Sequence, residues 1–179
     1  LNVTNLDGLP VIGLRESPHF GLNIFVKRAM DFLLALIALI VLSPVLLVIA
    51  LLVKLTSKGP IFFKQERCGL NGKSFQMLKF RSMRVDAEAK TGAVWAQKDD
   101  PRRTPIGKFL RKTSLDELPN LFNVLKGDMH LVGPRPDIDS NIRYYHEDEL
   151  KILEVKPGVT GLAQIRGRGP LTFEQTNRF

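Results

Sequence analysis

Two adjacent carboxylates, Asp116 and Glu117, sit among basic residues gathered from several parts of the chain. Arg111 and Lys112 come just before them, Arg135 follows between two prolines, and Lys79 and Arg81 fall on one face of a predicted strand. This combination suits chemistry at phosphorus. An ionised carboxylate can attack a phosphoryl group and form an acyl phosphate, provided cations or a metal screen the repulsion between two anions. A helix start would add free amides and a favourable dipole for a phosphate. The same residues have a structural reading. Ser114-x-x-Glu117 has the spacing of a capping box, with Asp116 complementing the helix dipole. Adjacent helical residues also diverge by roughly 100°, so the two carboxylates need not converge. Pro119 fits poorly just inside such a helix. Lys79 and Arg81, taken alone, read as a solvated basic face.

Cys68 is the only cysteine, which excludes an intramolecular disulfide and a multi-cysteine zinc site. His19, His130 and His146 are scattered and form no pair at ligand spacing. A metal here must therefore be a hard ion held by oxygen. The net charge of +8 and pI near 9.8 fit a polyanion, a phosphorylated substrate or an anionic surface alike.

The elements that must position these groups begin with an apolar run. From Phe32 to Val53 no residue is charged, long enough for a hydrocarbon core of ~30 Å. Lys27 and Arg28 precede it; Lys54, Lys58, Lys64 and Arg67 follow. A spanning helix normally leaves its basic side in the cytoplasm, and here the two sides compete. Ser43-Pro44 lies near the middle. The proline removes the bond to the Ile40 carbonyl, and the Ser43 hydroxyl can occupy a freed carbonyl of that turn. A helix that dips in and returns would put both basic flanks on one side, and this re-entrant arrangement is favoured, although kinked spanning helices carry prolines too. Asp31 at the mouth of the run reads as a carboxylate at a helix start or as a partner of Lys27 or Arg28.

Residues 1–20 read as a linker or the tail of a preceding domain, 21–58 as the membrane helix and 59–179 as a catalytic domain. Residues 61–67 and 73–83 flank Gly69-Leu70-Asn71-Gly72, a β-hairpin signal. The stretch 86–98 reads as loop or short helix. Thr104-Pro105 predicts a capped helix carrying Ile106, Phe109 and Leu110 inward and ending on Arg111-Lys112. Leu118, Leu121, Phe122 and Leu125 form a helical stripe closed by Gly127. HLVGPRP (130–136) reads as a rigid turn, 141–153 as one helix, and 156–170 as a loop-rich binding segment.

KRAMDF before an apolar run with Ser43-Pro44, then KFRSM, then LRKTSLDELPNLFNVLKGDMHLVGPRP, resemble the bacterial sugar transferase family. These are the monotopic phosphoglycosyl transferases, and the resemblance runs in order from Lys27 to Gly169. It implies an α+β, mainly helical monotopic membrane protein with a re-entrant hairpin, a small β-hairpin and interfacial helices. Asp116 would be the nucleophile that takes hexose-1-phosphate from a UDP-sugar, releasing UMP. Undecaprenyl phosphate would then attack that intermediate. Glu117 would act as base or electrostatic partner, and Mg²⁺ would sit near the dyad, on Asp116. Arg111 and Arg135 would handle phosphate, with Lys79, Arg81 and Lys112 as further basic candidates. Arg166 and Arg168 would help form the nucleotide site. The setting would be the bacterial inner membrane, catalytic domain on the cytoplasmic face, in exopolysaccharide or O-antigen synthesis. A homo-oligomer is compatible with all of this.

Asn120 and His130 depart from the family's usual glutamine and serine. The chain opens on Leu1 and stops at Phe179, short of the family's usual C-terminal stretch, so a fragment of the longer subgroup with an incomplete nucleotide site is expected. A non-catalytic anchor for anionic lipid headgroups would explain the charge and the apolar run, but not the residues from Arg111 to Pro136. A nucleic-acid binder lacks aromatics interleaved with its basic clusters.

Overall fold

The apolar run forms a helix longer than itself: α1 covers Leu22–Thr56, 35 residues with Pro44 inside. The computed structural model describes residues 2–6, 9–13, 22–87 and 100–166. Among these, α1 is the one helix long and apolar enough to cross a membrane. Its helical assignment continues through Pro44, so the expected break does not divide it into two helices. Ser43 explains part of this tolerance, because its Oγ donates to the Ile40 carbonyl at 2.7 Å.

One stripe of α1 is buried: Asp31, Ala35, Leu39, Ile49 and Val53, at spacings that keep one face of a helix. Ala35 and Leu39 pack with Met77, Leu121, Val124 and Met129, while Ile49 and Val53 pack with Phe80 and Leu110. Leu46 touches both clusters. Ala38 and Ala50 border these clusters, whereas Leu33, Ile37, Ile40, Val41, Leu47 and Leu51 are exposed.

Both ends of α1 are tied to the same body. Arg28 donates to the Val124 and Leu125 carbonyls at 2.5 and 2.8 Å. These lie in the last turn of α3 (Asn120–Lys126), where carbonyls lack helical partners. Asp31 meets Lys27 Nζ and His130 Nδ1, each at 2.5 Å, so of its two expected partners it pairs with Lys27 and not Arg28, and it does not stand at a helix start, because α1 begins at Leu22. At the other end Arg81 donates to the Lys58 and Ser57 carbonyls at 2.6 and 2.8 Å and to Ser57 Oγ at 2.7 Å.

The predicted hairpin is present. β3 (Phe62–Cys68) and β4 (Ser74–Phe80) pair antiparallel from Phe62↔Phe80 to Cys68↔Ser74, around a 3₁₀ turn at Leu70–Gly72. α3 docks on β4 through Asn123, whose Oδ1 accepts from Leu78 N (3.1 Å) and whose Nδ2 donates to Gln76 O (2.7 Å). The side chain thus stands in for a neighbouring strand next to Lys79. α2 (Pro105–Thr113) begins as predicted, Thr104 Oγ1 accepting from Gly107 N. A Cβ at Gly107 would lie 1.9 Å from the Ser82 carbonyl, so only glycine lets this helix approach the chain leaving β4. Leu110 is fully buried, but Phe109 is exposed, and so is Phe122 on α3. Gly127 ends α3 at φ 97°, as its position suggested.

Two expectations are corrected. The turn at 130–136 begins as a strand, β5 (His130–Val132), which pairs in parallel with β6 (Gly158–Thr160). A Cβ at Gly158 would fall 2.1 Å from Gly133 N, so the close crossing of these segments needs glycine there. The single helix expected at 141–153 is α4 (Asp139–Ile142), α5 (Glu147–Leu150) and a 3₁₀ turn at Lys151–Glu154. Local polar bonds compete with a continuous helix here: Glu149 Oε2 accepts from His146 N, and Asp137 accepts from Ile138 N, Asn141 and Tyr145. In residues 1–20, read as linker or tail, β1 (Asn2–Leu6) pairs antiparallel with β2 (Leu9–Gly13). After β6 comes α6 (Leu162–Arg166). The loop expected at 86–98 lies mostly outside the described residues.

Candidate active site

The dyad does not start a capped helix. Ser114 adopts the left-handed conformation, φ 59° and ψ 17°, and closes α2; its side chain caps nothing. Leu115–Glu117 then form a 3₁₀ turn, and α3 begins only at Asn120, with Pro119 before it. The capping box is therefore absent, and so is the long helix start expected to receive a phosphate. The proline is the physical reason: it supplies no N–H, and it sits where the chain passes from the 3₁₀ turn into α3.

Freed from capping, Glu117 turns to cations. Its Oε1 accepts from Lys79 Nζ at 3.0 Å and from Arg135 Nη2 at 3.1 Å. Burial pushes this carboxyl up, but the Lys79 and Arg135 charges outweigh it and bring it down to about 2. Lys79 reaches the site from the β4 face shared with Phe75 and Met77. It is itself deeply desolvated, and this lowers its pKa despite Glu117. Arg135 comes from the Pro134–Pro136 turn after β5, with its side chain still 43% exposed.

Asp116 is the opposite case. It is 7% exposed, and none of the hydrogen bonds or ion pairs described gives its carboxylate a side-chain partner. Burial, then the charge of Glu117, raise its pKa, while Lys79 and Arg111 act in the other direction. Arg111 lies in the last turn of α2 and is partly buried; desolvation lowers its pKa and Asp116 supports its charge. Two adjacent carboxylates are thus split by their surroundings. Glu117 is held and ionised, and Asp116 is buried, more basic and unclaimed.

The pair of Glu117 with its cations also has a stability consequence. Its folded pKa of about 2 lies below the ordinary 4.5, so its contribution is complete above 4.5 and is lost as pH falls through about 2. Acid unfolding of the Glu117→Gln variant should accordingly show a shallower loss of stability between these values than the parent. Circular dichroism melts in detergent across that range measure it, and identical slopes would contradict the pairing.

Comparison with known proteins identifies the surrounding chain. The family described as bacterial sugar transferase matches residues 22–179. The chain belongs to the bacterial sugar transferase family. Its relatives include a UDP-glucose:undecaprenyl-phosphate glucose-1-phosphate transferase of Klebsiella pneumoniae, 49% identical over 90% of this chain and 35% of that protein. A putative undecaprenyl-phosphate N-acetylgalactosaminyl 1-phosphate transferase of Bacillus subtilis (strain 168) is 55% identical over 63% of this chain and 62% of that protein. The exopolysaccharide production protein PSS of Rhizobium leguminosarum bv. phaseoli is 46% identical over 83% of this chain and 78% of that protein. The chain thus spans about a third of the Klebsiella relative's length.

Of the residues singled out in this sugar transferase chain, Asp116, Glu117, Lys79, Arg111 and Arg135 converge. Arg81 does not join them. It is 4% exposed and occupied with the C-terminal end of α1, so it anchors that helix and is not available to a substrate phosphate. The chain has left β4 at Arg81, which removes the strand alternation that predicted a shared face with Lys79. Lys112 is exposed on the last turn of α2. The backbone of Arg166 ends α6; its side chain and Arg168 lie outside the described residues. Sequence reasoning missed Asn123, which fastens α3 to β4, and Arg28, which caps α3. An asparagine inside an apolar helical stripe was the available signal for the first. Nothing local distinguishes Arg28 from an ordinary basic flank.

Proposed function

We propose that this chain is the membrane-seated catalytic part of a phosphoglycosyl transferase that moves hexose-1-phosphate from a UDP-sugar to undecaprenyl phosphate. The observation carrying this reading is the division of the dyad: an unclaimed, desolvated Asp116 beside a Glu117 pinned by Lys79 and Arg135. An Asp116 oxygen attacks the phosphorus that bears the sugar, and the bond to the bridging oxygen breaks, so UMP leaves with that oxygen. An oxygen of the polyprenyl phosphate then attacks the same phosphorus. The Asp116 oxygen leaves, the carboxylate is restored, and a polyprenyl diphosphate sugar forms. A raised pKa makes Asp116 the better nucleophile of the two acids. Lys79 and Arg111 offset the repulsion between the carboxylate and the incoming phosphate, and the half-exposed fork of Arg135 suits a phosphate oxygen. The activities for which the Klebsiella and Bacillus relatives are named support the substrate class. A lipid anchor without chemistry gives no reason for a buried acidic pair among three cations.

Mg²⁺ fits this site as an ion held by few protein ligands. Among the described residues no group of three or more His, Cys, Asp and Glu gathers as a metal cage. Asp116 and the adjacent Glu117, which meets Lys79 and Arg135 through Oε1, offer the one or two carboxylates that Mg²⁺ uses together with substrate phosphates. When bound it would neutralise phosphate charge.

On this reading α1 re-enters the membrane without dividing at Pro44, and the site lies at the lipid boundary on the cytoplasmic face of the bacterial inner membrane. Its support is that one body holds both ends of the apolar run, at Asp31–His130 and at Val53–Lys58 through Arg81. A straight crossing would put those contacts about 30 Å apart on opposite faces of the bilayer. Cysteines introduced at Asn23 and Lys73, both exposed, should be labelled from the cytoplasmic side only. Labelling from opposite sides would establish a span. The native Cys68 is a poor reporter because it is 6% exposed and its thiol pKa is raised by burial. For the activity, membranes carrying the full-length protein are incubated with a panel of UDP-sugars. UMP release with at least one of them is expected, and release with none would refute the proposed reaction.

A further inference from the structure

Two carboxamides among the described residues are buried with both polar atoms unpaired, those of Asn120 and Gln164. Asn120 is the more extreme, with no exposed surface at all. Its Nδ2 and Oδ1 have no hydrogen-bond partner. Buried side-chain amides are nearly always paired, because an unmade bond leaves the desolvation penalty uncompensated. An idle amide at this depth would be less stable than a leucine of similar size.

The position of Asn120 relates it to the dyad. It is the first residue of α3, three residues after Glu117 and four after Asp116, with Leu118 and Pro119 both helical between them. Those two spacings place side chains on neighbouring positions of a helical surface, where a carboxamide can bond a carboxylate. Glu117 is already held by two cations, whereas Asp116 accepts no side-chain hydrogen bond.

We propose that Asn120 is a positioning residue for Asp116, its Nδ2 donating to the carboxylate when the donor sugar is bound and so setting which oxygen faces phosphorus. This rests on Asp116 being the nucleophile. The amide touches neither substrate nor reacting phosphorus and acts through Asp116 alone. Of two carboxylate oxygens, one is then engaged and the other free to attack, which restricts the attack geometry without adding charge.

The test uses the full-length protein and a UDP-sugar that supports UMP release, with single-turnover rate, donor KM and melting temperature measured together. Asn120→Leu should slow the single turnover roughly 10–100-fold, the scale of one hydrogen bond to a charged group. Donor KM should stay within about twofold and the melting temperature should hold or rise, because an unpaired amide is exchanged for an apolar group. Asn120→Gln, which keeps the amide, should recover most of the rate. Asn120→Asp, nearly isosteric but without a donor when ionised, should be at least as slow as the leucine variant. A parental rate in either the leucine or the aspartate variant overturns the proposal. So does an equal loss in leucine and glutamine variants, which would mark a packing role. Asp116→Asn run alongside separates the two readings: activity retained there removes the nucleophile assignment itself, whereas activity lost there with Asn120→Leu at the parental rate removes only this inference.

Discussion

Asp116→Asn is expected to abolish both UMP release and transfer to the polyprenyl acceptor, a loss of at least about 10³-fold. The substitution is nearly isosteric and removes a charge that burial already disfavours, so the fold should hold and the melting temperature should not fall. What the substitution removes is the carboxylate proposed as the nucleophile. Lys79, Arg111 and Arg135 remain, and donor binding should survive within a few-fold, because the cations that attract phosphate are untouched. Steady-state UMP release and equilibrium binding of the donor measure the two quantities separately. Near-normal turnover in this variant would make the arrangement around Asp116 a structural feature and leave the chemistry to another group.

Lys79→Met is expected to have the second largest effect, acting on stability and rate together. The ammonium lies 3.0 Å from Glu117 Oε1, with side chains only 15% and 20% exposed. Removing one partner of such a pair leaves a poorly compensated buried charge, at a cost of about 3 kcal/mol. Arg135 alone, nearly half in solvent, compensates for little of it. Turnover should fall about 10²-fold as well, since the ammonium also favours the ionised form of Asp116. The double variant Lys79→Met/Glu117→Gln distinguishes the two contributions. Chemical denaturation should show stability largely restored, whereas turnover should stay low. A double variant that regained both would assign Lys79 a purely structural role.

The long apolar helix, the hairpin at Gly69–Gly72, the start of α2 and the end of α3 were legible because each depends on local rules: apolar length, turn chemistry and caps. So was the convergence of Asp116 and Glu117 with nearby basic residues, in outline. What could not be read depends on partners distant in sequence. The parallel pairing of β5 with β6 joins His130 to Gly158 across a long connection. Arg81 was assigned to the substrate because strand alternation was extended one residue too far; its true partners lie 23 and 24 residues earlier, at Lys58 and Ser57. The capping-box reading of Ser114 and Glu117 failed for a related reason. Two cations brought in by β4 and by the turn after β5 compete for the carboxylate more strongly than a backbone amide does.

Anchoring and chemistry are joined through short segments. β4 carries Lys79 to the dyad and leads directly into Arg81 at the end of α1. β5 carries His130 to Asp31 and leads into Arg135 at the dyad. Each contact at an end of α1 is thus a few residues from a contact of the dyad.

Intact-protein and peptide mass spectrometry of the full-length enzyme, quenched after exposure to donor without acceptor, tests the central claim most directly. The account predicts a mass increase of one phosphosugar on the peptide bearing Asp116, lost when polyprenyl phosphate is added. A donor-competent sample that releases UMP yet never carries that increase on Asp116 would contradict it.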